Sequence, residues 1–153
     1  MKRSKRLEPL VEMAETRESD ARRRLGQCQA KKRELLEKVD ALKRYRNDYS
    51  FRLELIGSNG LNAKQYNDYR TFLGKITRTL EEQEMVLEKI EKELRDQEIV
   101  WGTARQYATS LRKVQASSLT EEIKTSEYRE QGEADDQAAR TGNRSLDAEA
   151  VKF

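Results

Sequence analysis

The chain has 153 residues, of which 39% are charged and 35% hydrophobic, and its net charge is +3 at pH 7. A compact globule of this length needs more apolar surface, whereas a long helical protein needs only one buried stripe per helix. The lack of histidine and the single cysteine argue against catalysis, a disulfide and a cysteine-rich metal site. We therefore expect a non-enzymatic protein that carries no metal and no cofactor.

No segment resembles a signal peptide, and no apolar run is long enough to span a bilayer. These features, together with the reduced state expected of a lone cysteine, fit a cytoplasmic protein without direct membrane insertion. The composition alone is also compatible with disorder, so the spacing of the apolar residues decides the fold class.

A seven-residue repeat predicts a first helix over about residues 7–56. Every seventh residue is apolar or aromatic in the series Leu7, Ala14, Ala21, Cys28, Leu35, Leu42, Tyr49 and Ile56. Four residues beyond these, apolar and charged residues alternate: Val11, Glu18, Leu25, Lys32, Val39, Arg46 and Leu53. The charged members are expected to extend from the seam to solvent. Pro9 is expected in the first turn, where its missing N–H is harmless.

Glycine and asparagine interrupt the repeat over residues 57–61 and predict a turn. Asn62 and Gln65 are spaced as in a capping box, and Leu61 and Tyr66 as in a hydrophobic staple. A turn this short between two helices predicts an antiparallel hairpin.

A second stripe predicts a helix over about residues 62–115. Its apolar residues recur at steps of three and four from Tyr66 to Leu111, interrupted only by Gln83 and Gln97. Residue i should then face a residue numbered about 119 − i, in a rod of roughly 75 Å. Eight acids and three bases in residues 81–98 would face six bases and three acids in residues 20–37, which favours antiparallel pairing. The expected seam residues are Leu25, Cys28, Leu35, Val39, Leu80, Leu87, Ile90, Leu94 and Trp101.

The repeat fades beyond about Val114, and residues 120–153 hold nine acids and five bases. We expect residues 116–153 to form a frayed helix or a disordered tail. The predicted fold is therefore all-α: a long two-helix antiparallel coiled-coil hairpin over residues 1–115, followed by a polar, partly disordered tail.

The two ends of the predicted hairpin differ. Aromatic residues gather near the turn, and Tyr45, Phe51 and Phe72 lie off the stripes, which favours a partner-binding site. Small residues occupy the stripe near the open end, namely Ala14, Ala21, Ala104 and Ala108, and predict a slim end. The basic clusters at residues 2–6, 22–24 and 31–33 are interleaved with acids, so we interpret them as solvated helix faces and expect no nucleic-acid binding.

Around the turn, the chain resembles the FliJ family of flagellar export proteins. The resemblance lies in LKRYRNDY at residues 42–49, NG at 59–60 and YNDYRTF at 66–72. It implies a central stalk of the hexameric flagellar export ATPase and an adaptor to the cytoplasmic region of the membrane export-gate protein and to export substrate chaperones. It also implies a role in flagellum biogenesis, motility and chemotaxis, with peripheral association at the inner face of the cell membrane.

The family's gate-binding surface maps onto Leu42, Tyr45, Tyr49, Phe72, Ile76, Thr79 and Gln83. The heptad pattern places four of these residues at the seam: Leu42, Tyr49, Ile76 and Gln83. Tyr45 and Phe72 satisfy both the resemblance and the pattern. The stalk protein of a related injectisome type III secretion system and a passive coiled-coil tether remain alternatives.

Overall fold

Two long α-helices joined by a short turn make up the computed structural model, which describes residues 2–58, 60 and 62–151. Helix α1 spans Arg3–Ser58 and helix α2 spans Ala63–Val151. Facing stripes of the two helices pack against each other, so the prediction of an all-α hairpin is confirmed. The chain forms two compact units, which we call the turn unit (Arg17–Ala104) and the terminal unit (Met1–Thr16 with Arg105–Phe153).

The turn has the backbone features expected from its sequence. Gly60 adopts a φ of 86°, a left-handed conformation that glycine enters without a Cβ penalty. The side-chain oxygen of Asn62 accepts the N–H groups of Lys64 at 2.8 Å and Gln65 at 3.2 Å. Asn62 is therefore the predicted N-cap of α2, where it pairs two N–H groups that have no partner within the helix. Asn59 and Leu61, and with Leu61 the predicted staple, lie outside the described residues.

The core of the turn unit is a layer of four buried aliphatic side chains, Leu35 and Val39 from α1 with Ile76 and Leu80 from α2. Leu42, Leu87 and Ile90 pack against it while remaining partly exposed. Two helices cannot enclose a large side chain completely, so the buried stripe is narrow. Ala21, Leu25 and Cys28 extend it along α1.

Glu18 is the exception to the expectation that charged seam residues extend to solvent. Only 8% of the surface of Glu18 is exposed. Its carboxylate accepts the indole N–H of Trp101 at 3.2 Å and pairs with Arg22, one turn further along α1. Because a buried carboxylate is costly unless it is paired and hydrogen-bonded, the Trp101 indole makes this position tolerable for an acid. Lys32 and Arg46 behave as predicted and are half-buried.

In the terminal unit, the beginning of α1 packs against α2, and the contacts continue past residue 115, the predicted end of the second helix. Val11, Ala14 and Ala108 are buried there. Ser4 donates its hydroxyl to Glu122 at 2.6 Å and its backbone N–H to the same carboxylate at 3.0 Å. Glu122 thus caps the N-terminus of α1 from the other helix, where unpaired N–H groups and the helix dipole favour a negative charge.

Pro9 lies inside α1 and not in its first turn, because the helix begins at Arg3. Proline in a helix interior removes a hydrogen bond and crowds the preceding turn. The residues before Pro9 are held against α2 instead: besides the Glu122 bonds, the Gln115 side-chain amide donates to the Ser4 carbonyl at 3.3 Å. Contacts with α2 therefore support the turn that the proline weakens.

Helix α2 continues well past residue 115. Ser118 is buried, whereas every described side chain from Ile123 to Leu146 is exposed. A helix without a packed face gains nothing from tertiary burial, so fraying of residues 116–153 in solution stays a prediction.

The Ser4–Glu122 contact predicts a pH dependence. Its two hydrogen bonds hold the pKa of Glu122 below its ordinary value of 4.5, with Lys2 contributing. The contact should therefore be fully present above pH 4.5 and be lost as the pH falls through the lowered pKa of the folded protein. At pH 8, Glu122→Gln should speed tryptic cleavage after Lys5 and Arg6 by removing the charge.

The matched control for this prediction is Glu121→Gln, an exposed neighbour on the same helix. It should leave the cleavage rate unchanged, as measured by mass spectrometry of the released N-terminal peptide. Equal cleavage of both variants and the wild type would show that Glu122 does not hold the N-terminus of α1.

Candidate functional site

Four aromatic rings form a cluster in the turn unit, which we call the aromatic cluster: Tyr45, Tyr49, Tyr69 and Phe72. Tyr49 lies at its centre, with ring centroids 5.4 Å from Tyr45, 5.5 Å from Tyr69 and 4.7 Å from Phe72. Tyr45 and Phe72 also meet edge to face at 6.2 Å. Pairs at these separations stabilise each other beyond the area they bury.

The aromatic cluster is only partly covered by the hairpin. Tyr49 and Tyr69 are half-buried, whereas Tyr45 is 48% and Phe72 37% exposed. The central tyrosine therefore fixes two outer rings that still present apolar surface to solvent. Rigid, partly exposed aromatic side chains are the type of residue that dominates protein interfaces.

The other residues mapped from the gate-binding surface lie in different environments. Leu42 and Gln83 are half-buried at the seam. Ile76 is 6% exposed and belongs to the core layer with Leu80, a placement that favours packing. Thr79 is exposed, and its hydroxyl donates to the Lys75 carbonyl within the helix. A binding role for these residues stays a prediction.

Two further aromatic residues near the turn stand apart from the cluster. Phe51 is 62% exposed, as expected for a residue off the stripe. Tyr66 was expected in the seam but is 41% exposed; it lies in the first turn of α2, which begins at Ala63. Neither ring contacts another aromatic ring among the described residues.

The residues assigned to the seam line the facing sides of the two helices. Leu25, Cys28, Leu35, Val39 and Leu80 are buried, and Leu87, Ile90, Leu94 and Trp101 are half-buried. The Cys28 thiol lies 3.9 Å from the Ile90 carbonyl. Burial, with the nearby charge of Glu93, raises the pKa of this thiol, so it stays protonated and weakly nucleophilic at neutral pH.

Neither a cluster of metal-binding side chains nor a membrane-spanning stretch occurs among the described residues. Within residues 2–58, 60 and 62–151, no group of three or more acidic or cysteine side chains could hold a metal ion. Neither helix, over its described length, contains a stretch long and apolar enough to cross a bilayer. The surface features that remain are faces of helices and the aromatic cluster.

Sequence reasoning missed two contacts between the helices. The hydrophobic repeat does not predict the Glu18–Trp101 hydrogen bond, because a charged residue in the repeat only marks a position where the apolar pattern is interrupted. The Ser4–Glu122 contact does leave a signal: Gln115, Ser118 and Glu122 continue the steps of three and four beyond Leu111, but with polar residues.

The fold and the aromatic cluster define a class: long antiparallel helical hairpins with a partly exposed aromatic surface near the turn. A family model described as "Flagellar FliJ protein" matches residues 3–147, and the chain belongs to this family. It is therefore a component of flagellar type III protein export. No curated protein and no solved structure matches the chain.

Burial of Cys28 predicts slow alkylation. At pH 8 the native thiol should react with a maleimide at least about tenfold more slowly than an exposed cysteine. Its raised pKa lowers the fraction of reactive thiolate, and its packing restricts access of the reagent. The control is Cys28→Ala combined with Gln29→Cys, which moves the thiol to the adjacent exposed position. Rates are measured by mass spectrometry with and without urea. Equal native rates would mean that the seam is open at Cys28.

Proposed function

We propose that this protein is the central stalk of the hexameric flagellar export ATPase and an adaptor that links the ATPase to the export gate and to substrate chaperones. The observation that carries the proposal is the family match over residues 3–147. It favours the flagellar system over the related injectisome, since the matching family is the flagellar one. The protein would act in the cytoplasm and reach the inner face of the membrane only through its partners.

The exposed part of the aromatic cluster supports a gate contact through Tyr45 and Phe72. Both rings keep more than a third of their surface accessible, and contact with Tyr49 restricts their movement. A pre-ordered aromatic pair loses little conformational entropy on binding, which favours affinity. A passive tether requires no such surface.

Small residues in the terminal unit support insertion of this part of the hairpin into the ATPase ring. Ala108 is completely buried and Ala14 is 2% exposed. Alanine at facing seam positions lets two helix axes approach closely, which gives the slender cross-section that a ring pore requires. Ala21 and Ala104 extend the same composition into the turn unit.

Replacing Tyr45 and Phe72 together by alanine should separate gate binding from ATPase binding. Each ring contacts Tyr49, so the double variant should lose about 1–2 kcal/mol of stability, more than expected for two surface positions. Binding to the cytoplasmic region of the gate protein should fall by an amount on the order of 2 kcal/mol or more. Binding to the ATPase should persist.

Pull-downs against each partner and thermal melts followed by circular dichroism measure these effects. Phe51→Ala is the control for an exposed ring outside the cluster, and Tyr49→Ala is the control for loss of its central ring. A folded double variant that binds the gate normally would place the gate contact elsewhere.

Replacing Ala108 by leucine should weaken ring binding. Overpacking a completely buried position costs about 1–3 kcal/mol and forces the helices apart. Ala116→Leu adds the same atoms at an exposed position of α2 and should be neutral. Co-sedimentation with the assembled ATPase gives the readout. If spectroscopy shows that the helices of the Ala108→Leu variant are forced apart and the variant still binds the ring fully, insertion of this part of the hairpin into the ring is refuted.

A further inference from the structure

The two long edges of the hairpin differ in how their charges are neutralised. On one edge of the turn unit, ion pairs cross between the helices: Lys43 lies 3.7 Å from Glu84, and Lys32 lies 3.9 Å from Glu91. The basic residues of α1 on this edge therefore find acidic partners on α2 within the same chain.

The opposite edge, which we call the basic edge, has a different composition. On α1, bases recur at every seventh residue in line with Tyr45: Arg17, Arg24, Lys31 and Lys38. On α2, the facing row at the same spacing is Phe72, Thr79, Val86, Glu93 and Val100. A seven-residue spacing keeps each row on one side of its helix in a hairpin of this kind.

One contact shows that these rows lie on the same edge. The rings of Tyr45 and Phe72, which end the two rows nearest the turn, meet at 6.2 Å. Because both rows repeat every seven residues, the remaining members follow the same edge. The charges of Lys31 and Glu93, one from each row, both influence the pKa of the Cys28 thiol, which agrees with this arrangement. The bases of α1 therefore line a groove whose other wall alternates apolar and polar residues.

The basic edge is unpaired within the chain. All four bases are exposed, and none makes an ion pair with another residue in the described part of the structure. Asp20, the nearest acid in sequence to Arg24, pairs with Arg23 instead. Val86 is 42% exposed and Val100 48% exposed. This edge thus combines four bases that make no ion pair, a single facing acid, Glu93, and apolar surface at regular intervals.

We infer that the basic edge docks an acidic amphipathic α-helix of a partner protein. Its bases recur every seven residues and its apolar residues Phe72, Val86 and Val100 every fourteen, so one partner stripe of heptad periodicity would meet both rows. Carboxylates on the partner pair with the bases, while its apolar residues cover the valines. A disordered acidic segment would satisfy the charges but could not present apolar residues in this register.

The basic edge adjoins the proposed gate contact at Tyr45 and Phe72, but the inference rests on the bases of α1 and on Val86 and Val100, which lie outside that contact. Its test leaves Tyr45, Phe72 and the seam alanines unchanged, so a failure here and a failure of the gate or ring contacts give separate results.

The probe is a fluorescent synthetic helix about four heptads long, with a leucine stripe flanked by glutamates. Its affinity for the full-length protein is measured by fluorescence anisotropy at two salt concentrations. The test variant is Arg24→Glu with Lys31→Glu, which should weaken binding at least about tenfold and flatten the salt dependence. The control is Arg33→Glu with Arg44→Glu, which makes the same charge change elsewhere on α1 and should bind nearly as the wild type does.

A second variant, Val86→Ser with Val100→Ser, tests the apolar contribution. This variant should bind the peptide more weakly with the same salt dependence. If binding were purely electrostatic, its affinity would equal that of the wild type. Circular dichroism measures whether each variant folds. If Arg24→Glu with Lys31→Glu unfolds the chain, the neutral variant Arg24→Gln with Lys31→Gln is measured in its place.

Three outcomes would overturn the inference. The first is absence of binding by the wild-type protein, or equal loss in the test and control variants. The second is binding of a DNA duplex of equal charge as tightly as the peptide, which would indicate a general polyanion surface. The third is a concentration-dependent dimer in sedimentation that the test variant abolishes, because the occupant would then be a second copy of this chain.

Discussion

A hairpin of two helices can bury only the side chains that lie between them, and this constraint explains most of the molecule. The seam is one stripe wide on each helix, so its largest buried layer contains only Leu35, Val39, Ile76 and Leu80. Ala21, Leu25 and Cys28 continue it along α1 within the turn unit. Hydrophobic stabilisation comes mainly from this narrow seam. The outward faces of the two helices therefore remain available for contacts with solvent or partners.

Polar contacts mark one register of the seam. Aliphatic layers repeat with similar side chains, whereas the carboxylate of Glu18 meets the Trp101 indole in only one alignment. The Ser4–Glu122 contact has the same effect at the start of α1, where it also compensates for Pro9. The least hydrophobic positions of the repeat are therefore the most specific for the pairing.

The exposed surface of the turn unit is not uniform. Its aromatic cluster keeps two rings accessible around a central tyrosine, one edge neutralises its charges across the helices, and the basic edge does not. The chain belongs to the FliJ family, and the proposed adaptor function would require surfaces of different chemistry. The aromatic cluster and the basic edge meet at Tyr45 and Phe72, so partners of the two surfaces would be neighbours on the turn unit.

The sequence by itself determined the all-α hairpin, the turn with its Asn62 cap and most of the seam, because heptad periodicity and glycine are local signals. It also indicated Tyr45 and Phe72 as exposed aromatics. Only the tertiary structure decided that Tyr49 joins these rings into one cluster and that Glu18 is buried. The spacing of the two repeats indicates which residues face each other, but side-chain packing across the hairpin decides which rings meet and which charged group is covered.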